Sequence, residues 1–80
     1  MLVSLDKNKW LYDWMQEVYK DELQRLVFNE EFNVPRPNHL RVKIAQLLQS
    51  KGYRTKVTSK FDIIISMKDQ EYVFLKLKYS

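Results

Sequence analysis

Phe61-Asp62-Ile63-Ile64-Ile65-Ser66-Met67-Lys68-Asp69-Gln70-Glu71-Tyr72-Val73-Phe74-Leu75-Lys76-Leu77-Lys78-Tyr79 is the stretch on which the fold turns. It holds two apolar runs with a short polar break between them. Val, Ile, Tyr and Phe dominate both, the composition of strands. Over 72–79 the residues alternate, with Val73, Leu75, Leu77 and Tyr79 on one face and Tyr72, Phe74, Lys76 and Lys78 on the other. Over 61–67, Phe61, Ile63, Ile65 and Met67 share one face and Asp62, Ile64, Ser66 and Lys68 the other. The near-continuous apolar run of the second segment suits a central strand.

Parity then selects a register. A two-residue turn at Asp69-Gln70 puts the apolar face of one strand on the same side as the polar face of the next. A loop at 69–71 instead pairs Met67 with Val73, Ile65 with Leu75 and Ile63 with Leu77, so one face becomes wholly apolar. Burial favours this register, because a one-residue slip turns every side chain over. The same reasoning places a loop at 58–60, with Val57 opposite Phe61 and Thr55 opposite Ile63. A three-stranded antiparallel meander over 53–79 is therefore expected, built from strands 53–58, 61–67 and 72–79.

Upstream the apolar period changes to that of helices. Leu40, Ile44, Leu47 and Leu48 mark a helix over 39–51, with Asn38 as its expected N-cap. Gly52, the single glycine, is expected just past its end in the left-handed conformation. Before it, Val34-Pro35-Arg36-Pro37 lies in a connection over 29–37, where both prolines bias their predecessors to extended backbone. Residues 7–28 read as one amphipathic helix through Tyr12, Met15, Tyr19, Leu23 and Leu26, with Trp14 and Val18 widening the stripe. Ser4 or Asp6 is placed to cap its start. The expected architecture is one α+β domain over 1–80, in the order ααβββ.

Eighty residues give a marginal core, and two Trp, five Tyr and four Phe supply much of its apolar area. The absence of Cys excludes disulfides, thiol catalysis and thiolate metal sites, and fits a reducing compartment. No apolar run approaches the ~20 residues of a membrane span. The first residues, Met1-Leu2-Val3-Ser4-Leu5, lack the basic region and the cleavage pattern of a signal peptide. These features lead to the expectation of a cytoplasmic protein without membrane contact.

Charge is divided along the chain. Residues 1–33 carry four Lys/Arg against seven Asp/Glu, net −3, and residues 34–80 carry ten against three, net +7. In the meander, Arg54, Lys56, Lys76 and Lys78 fall on one sheet face around Asp62, with Tyr72 and Phe74 beside them. Lysine and arginine meet phosphates, and exposed aromatics stack bases. Arg36, Arg41 and Lys43 add basic groups near the start of helix 39–51. The first functional expectation is a small non-enzymatic protein that contacts nucleic acid through this face. The second is a protein-interaction module, a regulator or inhibitor of the kind phages and viruses use. It would meet a partner or a second copy of itself through Trp10 and Trp14, while an acidic protein is the other partner open to the basic face. If the acidic helix 7–28 instead covers the basic face, the charge division is intramolecular and that surface is not a binding site.

The arrangement over 39–79, a helix followed by three strands, with Asp62 opening Phe61-Asp62-Ile63-Ile64-Ile65 and Lys78 closing Phe74-Leu75-Lys76-Leu77-Lys78, is similar to the PD-(D/E)xK restriction-endonuclease-like core. The resemblance implies that Asp62 would help hold a divalent metal and Lys78 would assist the attacking water. The chain departs from the pattern where Lys76 replaces the middle acid and Phe61 replaces the proline. Helix 39–51 supplies no acid either, so the resemblance points to a catalytically dead relative as a third expectation. His39 is the single histidine, read as a helix-start residue, and no serine lies in a nucleophile-elbow context. No catalytic residue, metal or cofactor is expected.

Overall fold

A computed structural model describes the backbone of residues 1–32 and 37–80, and the side chains of 1–26 and 40–80. The element order is β1 (Leu2–Ser4), α1 (Trp10–Val18), α2 (Lys20–Phe32), α3 (Pro37–Ser50), β2 (Arg54–Val57), β3 (Ile63–Ser66) and α4 (Asp69–Tyr79). The fold is α+β with a three-stranded antiparallel sheet, but not a meander. Its strand order is β1-β3-β2, so the third strand comes from the start of the chain. Residues 72–79, expected as that strand, are helical.

The physical reason lies in both segments. Asp69 and Glu71 occupy the first turn of α4 and Lys76 and Lys78 its last, the charge order that complements a helix dipole. Leu2-Val3-Ser4 meanwhile fills the free edge of β3, pairing Leu2 with Ser66, Val3 with Ile65 and Ser4 with Ile64. On the other edge Thr55 pairs with Ile65 and Val57 with Ile63. This β2–β3 register is two residues away from the expected one. An even shift preserves the faces, so Thr55, Val57, Ile63 and Ile65 still point to one side.

The connecting loop accordingly spans 58–62. The Thr58 N–H donates to Asp62 O at 2.9 Å, and the Phe61 N–H to Thr58 O at 2.9 Å. Phe61 takes the left-handed conformation, φ 62°. That geometry closes a longer hairpin but is unfavourable for a residue with a Cβ.

Helices α1, α3 and α4 meet on one side of the sheet. Val3, Ile63 and Ile65 of the sheet join Leu11, Trp14 and Met15 of α1, Ile44 and Leu48 of α3 and Leu75 of α4 in a single buried cluster. The side chain of Thr55 donates to Ala45 O at 3.1 Å, tying β2 to α3. The opposite sheet face stays open, with Leu2 75% exposed and Arg54, Lys56 and Ser66 exposed.

Helix 7–28 is divided. The first helix begins at Trp10, without a side-chain cap, and ends at Val18; Tyr19 leaves helical geometry at φ −119°, ψ 34°. Its N–H still closes on Met15 O at 2.7 Å, while its own carbonyl accepts from Leu23 and begins α2. No Pro or Gly stands at this break. The two helices part to different partners: α1 packs on α4 and sends Leu11, Trp14 and Met15 into the core, whereas α2 packs on α3, where Lys51 Nζ reaches Glu22 at 2.9 Å. The second helix runs on to Phe32, shortening the expected connection, and α3 starts at Pro37, whose fixed φ suits a first helical turn.

The end of α3 matches expectation closely. Gly52 has φ 94°. Its N–H donates to Gln49 O at 3.1 Å and the Tyr53 N–H to Leu48 O at 3.1 Å, a Schellman pair. Among the described residues no helix is long and apolar enough to cross a membrane.

Candidate interaction surfaces

The basic face expected on a meander is divided between the sheet and α4. Arg54 and Lys56 remain together on the open face of the sheet, beside Ser66 and Ile64 of β3. Lys76 and Lys78 ride on α4 instead. Lys78 Nζ stands 3.9 Å from Glu17 of α1 and 5.3 Å over the Tyr79 ring. Lys76 Nζ stands 5.8 Å over the ring of Tyr72.

Tyr72 faces inward. Its ring lies 5.8 Å from that of Trp10, and its hydroxyl donates to Asn8 Oδ1 at 3.1 Å. It is therefore not a stacking platform. Phe74, by contrast, is 65% exposed. Arg41 Nη1 donates to both oxygens of Asp6 and to Phe61 O, each at 3.0 Å, and the Asp6 bond raises its pKa. It serves to clamp the 58–62 loop against the turn before α1. Lys43 lies on α3 beside a shallow groove with Glu22, Arg25 and Leu47. Arg36 and the side chain of His39 lie outside the described residues.

These contacts resolve the charge division in part. Arg41–Asp6, Lys51–Glu22 and Lys78–Glu17 each join a cation of the basic segment to a carboxylate of the acidic one. Of the acidic segment, α1 joins the core on the apolar side of the sheet through Leu11, Trp14 and Met15, and α2 packs on α3; the face bearing Arg54 and Lys56 stays exposed.

Asp62 is anchored to β1. Ser4 Oγ donates to it at 2.5 Å and the Asp6 N–H at 3.2 Å. Lys78, expected on the same sheet face as Asp62, lies on α4 and approaches Glu17 instead. Among the described residues no group of three His, Asp or Glu is placed to hold a metal ion, and no buried side-chain polar atom lacks a hydrogen-bond partner.

The two tryptophans are also interior features. Trp14 is 4% exposed, with edge contacts to Tyr19 at 5.8 Å and Tyr53 at 5.6 Å. Trp10 is half-buried against Tyr72. Trp14 therefore lies in the core, whereas Trp10 keeps part of its surface exposed. The Tyr53 hydroxyl donates to Glu71, and burial together with that bond holds its pKa far above the usual tyrosine range.

The surface that strand reading missed lies on α4. Leu75 is buried, while Val73, Phe74 and Leu77 are 53%, 65% and 82% exposed. With Gln70 and Asp69 they line a shallow apolar groove of about 430 Å³. The signal was present in the charge order Asp69, Glu71 … Lys76, Lys78, which marks a helix, and a helix puts residues 70, 73, 74 and 77 on one face. A second groove, about 620 Å³, runs between the starts of β2 and α4 past Arg54, Ser66, Lys68 and Glu71. It is electrostatically mixed: an anion approaching the α4 N-terminus there would meet Asp69 and Glu71.

No protein-family model, curated protein or solved structure matches this chain.

Proposed function

We propose that this chain is a non-enzymatic protein-interaction module that docks through the solvent face of α4. The observation that carries the reading is the line of Val73, Phe74 and Leu77, all more than half exposed on one helix whose opposite side holds the buried Leu75. Large apolar side chains exposed singly are ordinary, but a helical line of them with polar flanks is the pattern of a helix that lies in a partner's groove. Covering each would contribute roughly 1–2 kcal/mol, a fraction of the value for full burial.

The test is a photo-crosslinking residue placed at Gln70, on the α4 face, or at Lys56, on the open sheet face, in cells that make the protein. Protein adducts are expected from position 70 and should disappear with Leu77→Glu. Adducts from position 56 alone would overturn the reading.

A second reading, nucleic-acid contact, rests on Arg54 and Lys56 standing exposed on an uncovered sheet face. With two cations at the contact, the affinity should fall with salt at a log–log slope near −2, since each phosphate contributes about −0.9. No binding at low salt removes this reading.

A further inference from the structure

We infer that the occupant of the α4 face is a second copy of this chain, with the two α4 helices packed antiparallel across a two-fold axis. This rests on the docking role of α4 proposed above. The α4 face is complementary to itself. An antiparallel pairing centred between Val73 and Phe74 sets Val73 of each copy against Phe74 of the other, and Leu77 against Gln70. The protruding side chains then meet apolar surface in the middle, with the amide at the ends.

Charge fixes the direction. Asp69 and Lys76 are seven residues apart, two helical turns, and so flank the apolar line on the same side. The Asp69 side chain is 84% exposed, 3.6 Å from the Met1 amino group, and Lys76 is exposed along the Tyr72 ring. In the antiparallel dimer Asp69 of each copy faces Lys76 of the other, twice by symmetry. An in-register parallel pairing would instead bring Asp69 beside Glu71 of the other copy and Lys76 beside Lys78, like charge next to like. The other two charged groups of α4 that flank this line are engaged within the chain, Glu71 by Tyr53 and Lys78 by Glu17. A contact of one short helix face per copy makes a small interface, and small interfaces are weak and exchange readily.

The experiment is sedimentation of the full chain from about 1 μM to about 1 mM, the concentrations that bracket weak association. A concentration-dependent monomer–dimer equilibrium is expected. Asp69→Lys alone, or Lys76→Asp alone, turns both symmetric pairs repulsive and should weaken it roughly tenfold or more. Mixing the two single variants restores both attractions, so a heterodimer near the original affinity is expected. That restoration cannot arise from a folding defect. A chain that stays monomeric throughout, or single variants that dimerise as the original does, overturns the inference. The Gln70 photo-adducts distinguish self-pairing from docking in general. If the chain is monomeric but position 70 crosslinks to a different protein, the docking role stands and self-pairing falls; with no protein adduct at all, both fall.

Discussion

Replacing Leu75 and Leu77 by Ala, one at a time, distinguishes a helical segment over residues 69–79 from an extended one. On a strand the two leucines share a face and should respond alike. On α4 they are two residues apart, about 200° around the axis, and Leu75 is 6% exposed while Leu77 is 82% exposed. Leu75 sits in the cluster formed with α1 and the sheet, so its truncation removes buried methyl groups and leaves a cavity that relaxes only in part. Changes of this kind cost about 2–5 kcal/mol. Leu77→Ala removes surface that water already reaches and should stay within about 0.5 kcal/mol. The expected gap is therefore roughly 2 kcal/mol or more, which for a domain of this size corresponds to about 10 °C in melting temperature. Urea unfolding followed by tryptophan fluorescence reads it directly, because Trp14 lies in the same cluster. Low protein concentration keeps α4 pairing from contributing. If Leu75→Ala leaves too little folded protein to titrate, Leu75→Val preserves most of the volume and should still cost about 1 kcal/mol. Equal destabilisation at the two positions would refute the helical assignment and everything built on the α4 face.

Three further outcomes are expected. Phe61→Gly relieves a left-handed φ of 62° at a residue 37% exposed, and should raise stability in urea unfolding by about 1 kcal/mol; a loss of that size would mean that the covered part of the ring contributes more than the strain costs. Tyr53 titrates above its ordinary value of 10.0 because burial, then the bond to Glu71, favours the protonated phenol. Stability tied to it is fully present below pH ~10 and lost as pH rises further, since the unfolded chain then releases its proton first. Tyr53→Phe should flatten that alkaline loss and cost about 1 kcal/mol at neutral pH; an unchanged alkaline slope would contradict the assignment. Arg41→Ala should lower stability by about 1 kcal/mol through the Asp6 and Phe61 contacts, and a double-mutant cycle with Asp6→Ala should return a small favourable coupling. The same change should leave any nucleic-acid affinity untouched, whereas Arg54→Ala should reduce it.

The features legible along the chain are those that depend on near neighbours. The Gly52 cap is an example: it needs only a helix ending at Ser50 and a residue free to take positive φ. The face assignment of Thr55, Val57, Ile63 and Ile65 is another, because alternation survives a two-residue error in register. Tyr72 and Phe74 show the opposite case. Both patterns, alternating and helical, run through 72–79, and each implies a different environment for these two aromatics. Local periodicity does not choose between them. The choice is made by which segment occupies the free edge of β3, and that edge is taken by Leu2–Ser4, some sixty residues away along the chain.

Residue chemistry acting over a few positions is enough to specify an α+β domain, the helix over most of 39–51 with its glycine stop, the paired β2 and β3 segments with their apolar side, and the division of charge. Three outcomes required the folded chain: the N-terminal strand closes the sheet, helix 7–28 breaks at Tyr19, and the basic residues scatter over α3, the open sheet face and α4. Each of those outcomes is a competition for the same buried surface between segments far apart in the chain. The winner is set by total burial and hydrogen-bond pairing, quantities that no single stretch carries.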